Sequence, residues 1–409
     1  MTMTARAADT GPVRLPVGGA GTRPDTAAEP ETEAGTGAGS RSGAARTPAA
    51  RSAPPLSAPS PFDTGGIVVR EVGPFALGDG TTLPALDIAY RHDGPGPAEA
   101  PQVLVIHALT GSVDAAGDWW APLIGPGRAL DTNRVGVLCA NLLGGCYGTT
   151  GPTTIDASTG RPWGPTFPAI STRDQARAQW AVLDALGIER LALVAGGSLG
   201  GMVALEVALE RPEAVGEVLP IAAPAATGAL AIAWNGIQLE LVRRLGEDGL
   251  DLARRLAMTT YRSEADFEQR FGRAVEPDGT PSITSYLAYQ GRKLVGRFDP
   301  ETYRVLVEAM DRHDAGAGRG GLRPALARLA DHGVRITGLG IPGDVLYGPA
   351  QVHALVDAAA AEGAHARYLE LRSTKGHDAF LVEWDQLAAI VGDVLAEALA
   401  PRSVPQPRR

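Results

Sequence analysis

One serine of the sequence lies among four glycines, directly after a short apolar run: residues 191–202 read LALVAGGSLGGM. Residues 196–200 fit the pattern Gly-x-Ser-x-Gly, with a predicted strand before them and a predicted helix after them. This context is typical of a sharp turn that projects a serine hydroxyl above a sheet, because small neighbours avoid side-chain collisions. The pattern predicts that Ser198 is a nucleophile; a glycine-rich packing turn is the alternative interpretation.

A serine hydroxyl reacts only when a base takes its proton. Of the seven histidines, His377 lies in a glycine-containing loop, STKGHDAFLVEW, between the predicted strand 367–371 and the last predicted helix. A base in the loop after the last strand can reach a serine above the sheet. We therefore predict that His377 is the general base and acid; an ordinary solvated loop histidine is the alternative.

The orienting acid should follow the strand before His377, because the chain order in such sites is serine, acid, histidine. Asp344 in GIPGDVLYGPAQ lies at that strand end. Asp331 is the nearest competitor, but it precedes its strand and so lies at the wrong edge. We predict that Asp344 accepts the Nδ1–H of His377, fixes its tautomer and stabilises the imidazolium.

An oxyanion that forms during acyl transfer needs two N–H donors. The Leu199 amide lies at the start of the helix that follows Ser198. The second donor should come from the loop after an early strand, here VLVIHALTG at residues 103–111. We assign it to the Leu109 amide, with Ala108 as the near alternative and a plain strand exit as the other interpretation.

Strands and helices alternate along the globular part of the chain. Strands are predicted at residues 67–72, 86–92, 103–107, 134–141, 191–195, 218–223, 334–341 and 367–371. Helical spacing predicts a helix between 172 and 188, one after Ser198, and one over about 384–398. Thr172 and Gln175 have capping-box spacing, and Gly187 is placed to end the first helix. The alternation predicts a mainly parallel sheet with helices on both faces.

The composition divides the chain into three parts. Residues 1–60 are rich in Ala, Pro and Gly and are predicted to be disordered. Residues 61–223 and 326–400 form the predicted α/β core, and the helical block 224–325 is predicted to be an inserted lid. Residues 338–343 spell a Gly-x-Gly-x-x-Gly run within and at the end of a late strand, where a dinucleotide site is not expected.

The overall composition excludes several classes of function. The net charge of −9 argues against nucleic acid or an anionic membrane surface as the main partner. Two cysteines, Cys139 and Cys146, make no disulfide framework and fit a cytoplasmic location. The sequence has no HExxH pattern and no apolar run near 18 residues, so neither a metal site nor a transmembrane helix is predicted.

Several long motifs resemble the homoserine O-acetyltransferase family. They are HALTG (107–111), NLLGGCYGTTGP (141–152), GGSLGGMVALE (196–206), GLDLARRLAMTTYRSEADFEQRFGR (249–273), SYLAYQGRKLVGRFDPETYRVLVEAMDRHD (285–314), GDVLYGPAQ (343–351) and KGHDAFLVE (375–383). The resemblance covers about residues 65–395. It implies an α/β-hydrolase fold with an inserted helical lid and an acyl-CoA-dependent O-acyltransferase.

The resemblance also implies a chemistry and a set of site residues. Ser198, Asp344 and His377 match the catalytic triad, and Leu109 and Leu199 match the oxyanion hole. The implied mechanism is ping-pong, with acetyl-CoA as co-substrate, no bound cofactor, and L-homoserine as the acceptor in methionine biosynthesis. Asp378 and Thr110 are the expected substrate-binding positions, and Asp378 matches the acid that helps to bind the acceptor's amino group. A homodimer through the lid is also implied.

One position departs from the family pattern. The family carries an arginine for the acceptor's carboxylate in a stretch like Asn-Glu-x-x-Arg-Gln, whereas AWNGIQLELVRR (233–244) has Leu239 there. Arg243, Arg244 or Arg262 are the candidates to replace it. L-Serine or a natural-product alcohol therefore remains an alternative acceptor, succinyl an alternative acyl group, and an esterase on the same triad the alternative class.

Overall fold

The computed structural model describes residues 61–400; the segment 1–60 that was predicted to be disordered lies outside them. The centre of this part is an eight-stranded sheet. In chain order its strands are β1 (Val68–Glu71), β2 (Asp87–Asp93), β3 (Gln102–Ile106), β4 (Gly136–Ala140), β5 (Leu191–Gly197), β6 (Val215–Ile221), β7 (Arg335–Gly340) and β8 (His365–Glu370). They lie side by side in the order β1-β2-β4-β3-β5-β6-β7-β8.

Most of the sheet is parallel, as the alternation of elements predicts. Strands β3 to β8 are parallel to one another, and β1 and β2 add an antiparallel edge, with β2 antiparallel to β4. Every residue of β3 and β4 is buried. A parallel strand covered on both faces reads as a continuous apolar run, which explains why these strands were evident in the sequence.

Ten helices surround the sheet in the described part of the chain. They are α1 (Thr172–Ala185), α2 (Leu199–Glu210), α3 (Ala229–Leu245), α4 (Glu247–Tyr261), α5 (Glu264–Arg270), α6 (Ser282–Val295), α7 (Pro300–Asp311), α8 (Leu322–Asp331), α9 (Pro349–Ala361) and α10 (Trp384–Leu399). Short 3₁₀ turns occur at Gly164–Thr166, Pro212–Ala214 and Gly376–Leu381. Three short ribbons pair Phe75–Ala76 with Thr82–Leu83, Ile124–Gly125 with Leu130–Asp131, and Ile155–Asp156 with Arg161–Pro162.

The sheet separates two hydrophobic cores. Leu104 and Ile106 of β3 belong to the core that α1 and α2 cover, whereas Val103 and Val105 belong to the core that α10 covers. Successive side chains of a strand point to opposite faces, so one short apolar strand serves both cores. The predicted arrangement with helices on both faces is therefore confirmed.

The start of α1 differs from its prediction by one residue. The N-cap is Ser171, whose Oγ accepts the Asp174 N–H at 3.1 Å, while the Asp174 carboxylate accepts the Ser171 N–H at 3.0 Å. The capping-box assignment to Thr172 and Gln175 was wrong, because both pairs have the same spacing and only the backbone of Ser171 is extended. Gly187, with φ of +69°, follows the end of the helix as predicted.

Strand β6 begins at Val215, three residues before its predicted start. The reason is Glu217. A charged residue is not expected in a buried strand, so the sequence predicted a later start, but Glu217 is only 1% exposed. It accepts hydrogen bonds from Arg335 Nε at 2.9 Å and Thr337 Oγ1 at 2.7 Å, both on the neighbouring strand β7. Paired in this way, the charge is tolerated inside the sheet.

Helices α3 to α7 lie within the predicted lid, residues 224–325, between β6 and α8. Helix α8 then leads into β7, which pairs directly with β6. The run at residues 338–343 has Gly338 and Gly340 inside β7, and α9 begins only at Pro349, so it lacks the strand-to-helix form of a dinucleotide site. Within residues 61–400 no helix has the length and apolar character that crossing a membrane requires.

Candidate active site

Ser198 lies between the end of β5 and the start of α2. Its backbone has a positive φ, as the sharp turn between the two elements requires. Its φ is +58° and its ψ −125°, which is strained for a residue with a side chain. Its N–H donates to the Ile221 carbonyl at 2.9 Å, which ties the turn to the end of β6. A Cβ at Gly196 would collide with the Gly200 carbonyl, and one at Gly200 would collide with the Ile106 carbonyl. The glycines are therefore required by close backbone packing, and the predicted strand–turn–helix is confirmed.

Asp344 and His377 are joined by a buried hydrogen bond. His377 Nδ1 lies 2.7 Å from Asp344 Oδ2, and the two residues are 3% and 6% exposed respectively. The other oxygen of Asp344 accepts the N–H groups of Leu346 at 2.8 Å and Tyr347 at 3.0 Å. These amides fix the orientation of the carboxylate. Because the carboxylate accepts a hydrogen bond from Nδ1, the proton of neutral His377 lies on Nδ1, and Nε2 carries the free lone pair.

The pKa of His377 is the result of opposing effects. Burial lowers this pKa, but the charge of Asp344 and its hydrogen bond outweigh burial, and the charge of Asp378 adds to them. The net result is a pKa above the ordinary histidine value. His377 is thus a stronger base than an isolated imidazole, as proton transfer from a hydroxyl requires.

The ring of Phe380 packs between His377 and Gly197, the residue before Ser198. It lies 5.7 Å from the His377 ring and also covers Gly197, where a Cβ would collide with it. The Nε2 atom of His377 is buried and has no hydrogen-bond partner in the described residues. The structure therefore brings Ser198, Asp344 and His377 to the carboxyl ends of β5, β7 and β8, while their catalytic roles stay predictions.

The predicted oxyanion donors lie on two adjacent segments. Leu199 is the first residue of α2, so its N–H is one of the amides that a helix leaves unpaired. Leu109 follows β3 in a turn closed by the Gly111 N–H on the Ala108 carbonyl at 2.9 Å. Because Gly200 packs against the Ile106 carbonyl, this turn lies beside the start of α2. Their role as oxyanion donors stays a prediction.

His107 positions this turn and was not recognised from the sequence. Its Nδ1–H donates to the Ala108 carbonyl at 2.8 Å, and its Nε2 accepts the Leu142 N–H at 3.1 Å. Burial lowers the pKa of His107, which keeps the ring neutral and able to do both. The only signal in the sequence is the position of His107 at the end of a buried strand, and that signal is weak.

The predicted substrate-binding residues both contact arginines. Asp378 is 3.2 Å from Arg262 Nε, and the carbonyl of Thr110 accepts a hydrogen bond from Arg297 at 2.8 Å. Arg262 also lies 3.6 Å from the fully buried Asp266. Asp378 is therefore a partly neutralised carboxylate beside the base, and its contact with substrate stays a prediction.

The structure distinguishes the three candidates for the missing arginine. Leu239 is 5% exposed and packs in the apolar core of the lid. Arg243 and Arg244 were wrong candidates, because their side chains are 54% and 73% exposed and pair with Glu240 on the outer face of α3. Arg262 alone of the three lies beside the site.

Aromatic rings pack around the base, which is 3% exposed. The rings of Tyr261 and Tyr347 lie 5.8 and 5.6 Å from the ring of His377. Tyr261 ends α4, whereas Tyr347 follows the Asp344 turn, so lid and core both contribute to the enclosure. A dry, pre-organised pocket strengthens electrostatic stabilisation of a developing charge.

The sheet order, the strained serine turn and the buried acid–histidine pair define an α/β-hydrolase-fold enzyme. A sequence profile of the alpha/beta hydrolase fold matches residues 101–297. The homoserine O-acetyltransferase of Moorella thermoacetica is 42% identical over 78% of this chain and 93% of its own length. The chain belongs to the homoserine O-acetyltransferase family and is an acyltransferase.

Solved structures show the same fold in proteins of two activities. The crystal structure of homoserine O-acetyltransferase from Bacillus anthracis superposes with a TM-score of 0.74 at 23% identity, over 80% of this chain and 97% of that one. The structure of esterase E22 also gives a TM-score of 0.74 at 23% identity, over 81% and 99% of the two chains. At this identity the likeness describes the fold alone.

Proposed function

We propose that the chain transfers an acetyl group from acetyl-CoA to the hydroxyl of L-homoserine, through an acyl-enzyme on Ser198. The observation that carries the proposal is the buried 2.7 Å bond between His377 Nδ1 and Asp344, beside the strained turn of Ser198. A relative that is 42% identical is named homoserine O-acetyltransferase, which supports the choice of acceptor.

In the first half-reaction Ser198 Oγ attacks the thioester carbonyl while His377 Nε2 takes its proton. The tetrahedral oxyanion accepts hydrogen bonds from the Leu109 and Leu199 amides. His377 then gives the proton to the departing CoA sulfur, and the acetyl ester of Ser198 remains. Asp344 stays ionised throughout and stabilises the imidazolium.

In the second half-reaction the acceptor enters after CoA has left. His377 Nε2 takes the proton of the acceptor's hydroxyl, whose oxygen attacks the acetyl ester. The same two amides hold the second oxyanion, and His377 returns the proton to Ser198 Oγ as the product ester forms. Asp378, adjacent to His377, and Thr110, in the oxyanion loop, are the proposed acceptor-binding residues.

The proposal needs no bound cofactor, since acetyl-CoA is consumed as a co-substrate. The partners are therefore a small-molecule alcohol and an acyl-CoA, with neither nucleic acid nor membrane required. It includes a cytoplasmic location, which the sparse cysteine content favours. L-Serine, a natural-product alcohol or a succinyl donor would use the same steps.

Hydrolysis is the second candidate function. The acyl-enzyme is common to both reactions, and the outcome depends on whether water or an alcohol is held against the ester. One observation favours it as the alternative: apolar Leu239 removes one polar group from the lid, which weakens the case for a charged amino-acid acceptor. The rings around His377 favour transfer, because they restrict the access of water.

Release of CoA from acetyl-CoA, with and without acceptor, separates the two functions. For a transferase we expect a single stoichiometric burst without acceptor, and steady turnover when L-homoserine is added. L-Serine and simple alcohols are run in parallel to rank the acceptors. Equal steady release with and without any alcohol would show hydrolysis and reject the proposal.

Ser198→Ala tests the acyl-enzyme directly. We expect loss of the acetyl mass increment after mixing with acetyl-CoA, and turnover reduced by about 10⁴-fold or more. The matched control is Ser158→Ala, which changes a serine that donates a hydrogen bond to Asp156 and is distant in sequence from Ser198. This variant should keep both the acetyl mass increment and the turnover. An acetyl increment that survives in Ser198→Ala would place the nucleophile elsewhere.

A further inference from the structure

A fully buried carboxylate lies in the first turn of α5. Asp266 has no exposed surface, and no step of the proposed mechanism uses it. Three cations surround it: Lys375 Nζ at 3.0 Å, Arg270 Nη1 at 3.5 Å and Arg262 Nη1 at 3.6 Å. A buried charge is tolerated only when opposite charges neutralise it. The two arginines belong to the lid, whereas Lys375 belongs to the base loop, residues 371–377, which leads from the end of β8 to the proposed base.

The ion pair of Lys375 with Asp266 ties the base loop to the lid, two residues before His377. A second anchor lies directly beside it. The Ser263 hydroxyl donates to the carbonyl of Thr374, and its oxygen accepts the Asp266 N–H at 3.1 Å. The N-terminal turn of α5 therefore holds two consecutive residues of the base loop.

The main chain of the base loop also touches the lid. Gly376, the residue before the base, has a φ of +71°. A Cβ at this position would lie 2.7 Å from the Ser263 nitrogen and 3.0 Å from the Arg262 carbonyl carbon. The base loop and the lid are thus packed backbone against backbone, as only a glycine permits.

These contacts make residues 261–266, the α4–α5 corner, a support for the base. Its first residue, Tyr261, has its ring 5.8 Å from the ring of His377. Asp344 orients the imidazole through Nδ1, but the distance from Nε2 to Ser198 depends also on where the base loop lies. Proton transfer requires the two atoms at hydrogen-bond distance, and a displacement of about 1 Å can cost about 10²-fold in rate.

We propose that Asp266 is a positioning residue for His377. By holding Lys375, it docks the base loop on the α4–α5 corner and thereby sets the distance between base and nucleophile. The inference rests on the proposed role of His377, and it goes further because it gives the lid a part in proton transfer. Asp266 touches no reacting atom, so its effect passes through the loop.

The burst of product from two acetyl esters provides the assay. p-Nitrophenyl acetate reports the acylation of Ser198 whether the chain is a transferase or a hydrolase, and acetyl-CoA is measured in parallel. The burst amplitude counts the active sites, and the burst rate constant measures the chemistry at each of them. A merely structural role for Asp266 would lower the amplitude without changing the rate constant.

Lys375→Met removes the ion pair of the base loop and keeps an unbranched side chain. We expect the acylation rate constant to fall about 10- to 100-fold with both esters, while the amplitude and the KM of acetyl-CoA stay the same. Arg270→Met is the matched control, because it removes a cation from the same carboxylate and both side chains are 35% exposed. Since Arg270 lies on α5 itself, the base loop stays anchored, and the rate constant should not change.

Asp266→Asn tests the carboxylate itself. It leaves three cations without their common partner, so we expect a lower free energy of unfolding together with the slower burst. Adding Lys375→Met to Asp266→Asn should slow the burst no further, because both changes remove the same ion pair. If Asp266→Asn does not fold, the comparison of Lys375→Met with Arg270→Met decides.

Equal rate constants in Lys375→Met and Arg270→Met would overturn the proposal. A loss confined to the amplitude, or a change confined to the KM of acetyl-CoA, would overturn it too. A failure of the proposed function gives a different result: the unaltered enzyme would then show a burst with p-nitrophenyl acetate but none with acetyl-CoA.

Discussion

At the scale of single residues, the charge on Asp378 has two consequences. It holds Arg262 at 3.2 Å, and it adds to the effect of Asp344 in raising the pKa of His377. The carboxylate next to the base therefore affects proton transfer as well as substrate binding. This coupling arises because the two residues are consecutive in one short 3₁₀ turn, Gly376–Leu381.

The pH profile of Asp378→Asn should show this coupling. His377 must be neutral to accept a proton, so kcat/KM falls as the pH drops through its raised pKa. Removing the Asp378 charge removes one contribution that raises this pKa, and the acid limb should move to lower pH. The measurement is kcat/KM for the acyl donor between pH 5 and 9.

Asp385→Asn, on an exposed residue of α10, is the control for the change in net charge and should leave the limb in place. An acid limb that stays fixed in Asp378→Asn, or moves to higher pH, would contradict the assignment of His377 as the titrating base.

The residues that sequence patterns revealed are those positioned by their own local segment. Ser198 is defined by a strand, a turn and a helix that are continuous in the chain, and Asp344 and His377 each follow a strand end. Tyr261 and Tyr347 were not recognised, because their contacts with the ring of His377 depend on how the lid and the loops fold over the sheet. Which arginines are paired is a tertiary property, and the spacing of residues in the chain does not contain it.

At the scale of elements, the contact between α2 and the turn after β3 positions the oxyanion donors. Gly200 allows the first turn of α2 to lie against the Ile106 and His107 carbonyls, with no room for a side chain. His107 holds the other side of the same turn through Ala108 and Leu142. The sequence predicted both elements, but their close approach required the three-dimensional fold.

Gly200→Ala should therefore separate the two elements. The added Cβ collides with backbone, which cannot move aside as a flexible side chain does, so we expect about 1–3 kcal/mol lower free energy of unfolding. The acylation rate should fall further than this instability alone explains, since the Leu109 and Leu199 amides move apart. Urea denaturation and the rate of the CoA burst measure the two effects.

Gly392→Ala is the matched control in α10, where the new Cβ would have only an ordinary contact with Ala129 at 3.9 Å. It should raise stability by about 0.5–1 kcal/mol and leave the burst unchanged. If Gly200→Ala keeps the burst rate of the unaltered enzyme, the close approach of α2 does not position the oxyanion donors.

At the scale of the whole molecule, the outer face of the lid is more apolar than a solvent-facing surface usually is. Leu230, Ile237 and Leu245 of α3 are between 50% and 61% exposed, and Leu252 of α4 is also exposed. Contiguous apolar patches on soluble proteins commonly mark interfaces. We propose that this face joins two copies of the chain, as the family resemblance led us to expect.

The oligomeric state of a double variant tests this proposal. Ile237→Glu with Leu245→Glu places four carboxylates in a two-fold interface, and we expect the dimer to dissociate into monomers. Light scattering after gel filtration gives the mass. Ile155→Glu, a change at an equally exposed residue away from the lid, should stay dimeric. A monomeric unaltered protein, or a double variant that remains dimeric, would contradict the proposal.

The position of the lid in the chain also bears on how this protein could diversify. The lid leaves the core after β6 and the chain returns through α8 to β7, yet β6 and β7 lie side by side in register. The entropic cost of closing a connection rises only with the logarithm of its length, so the sheet tolerates lids of different size at that junction. Arg262 and Leu239 both belong to this exchangeable segment, whereas Ser198, Asp344 and His377 belong to the core. Recombination at a single junction could therefore give the same acylating machinery a new acceptor.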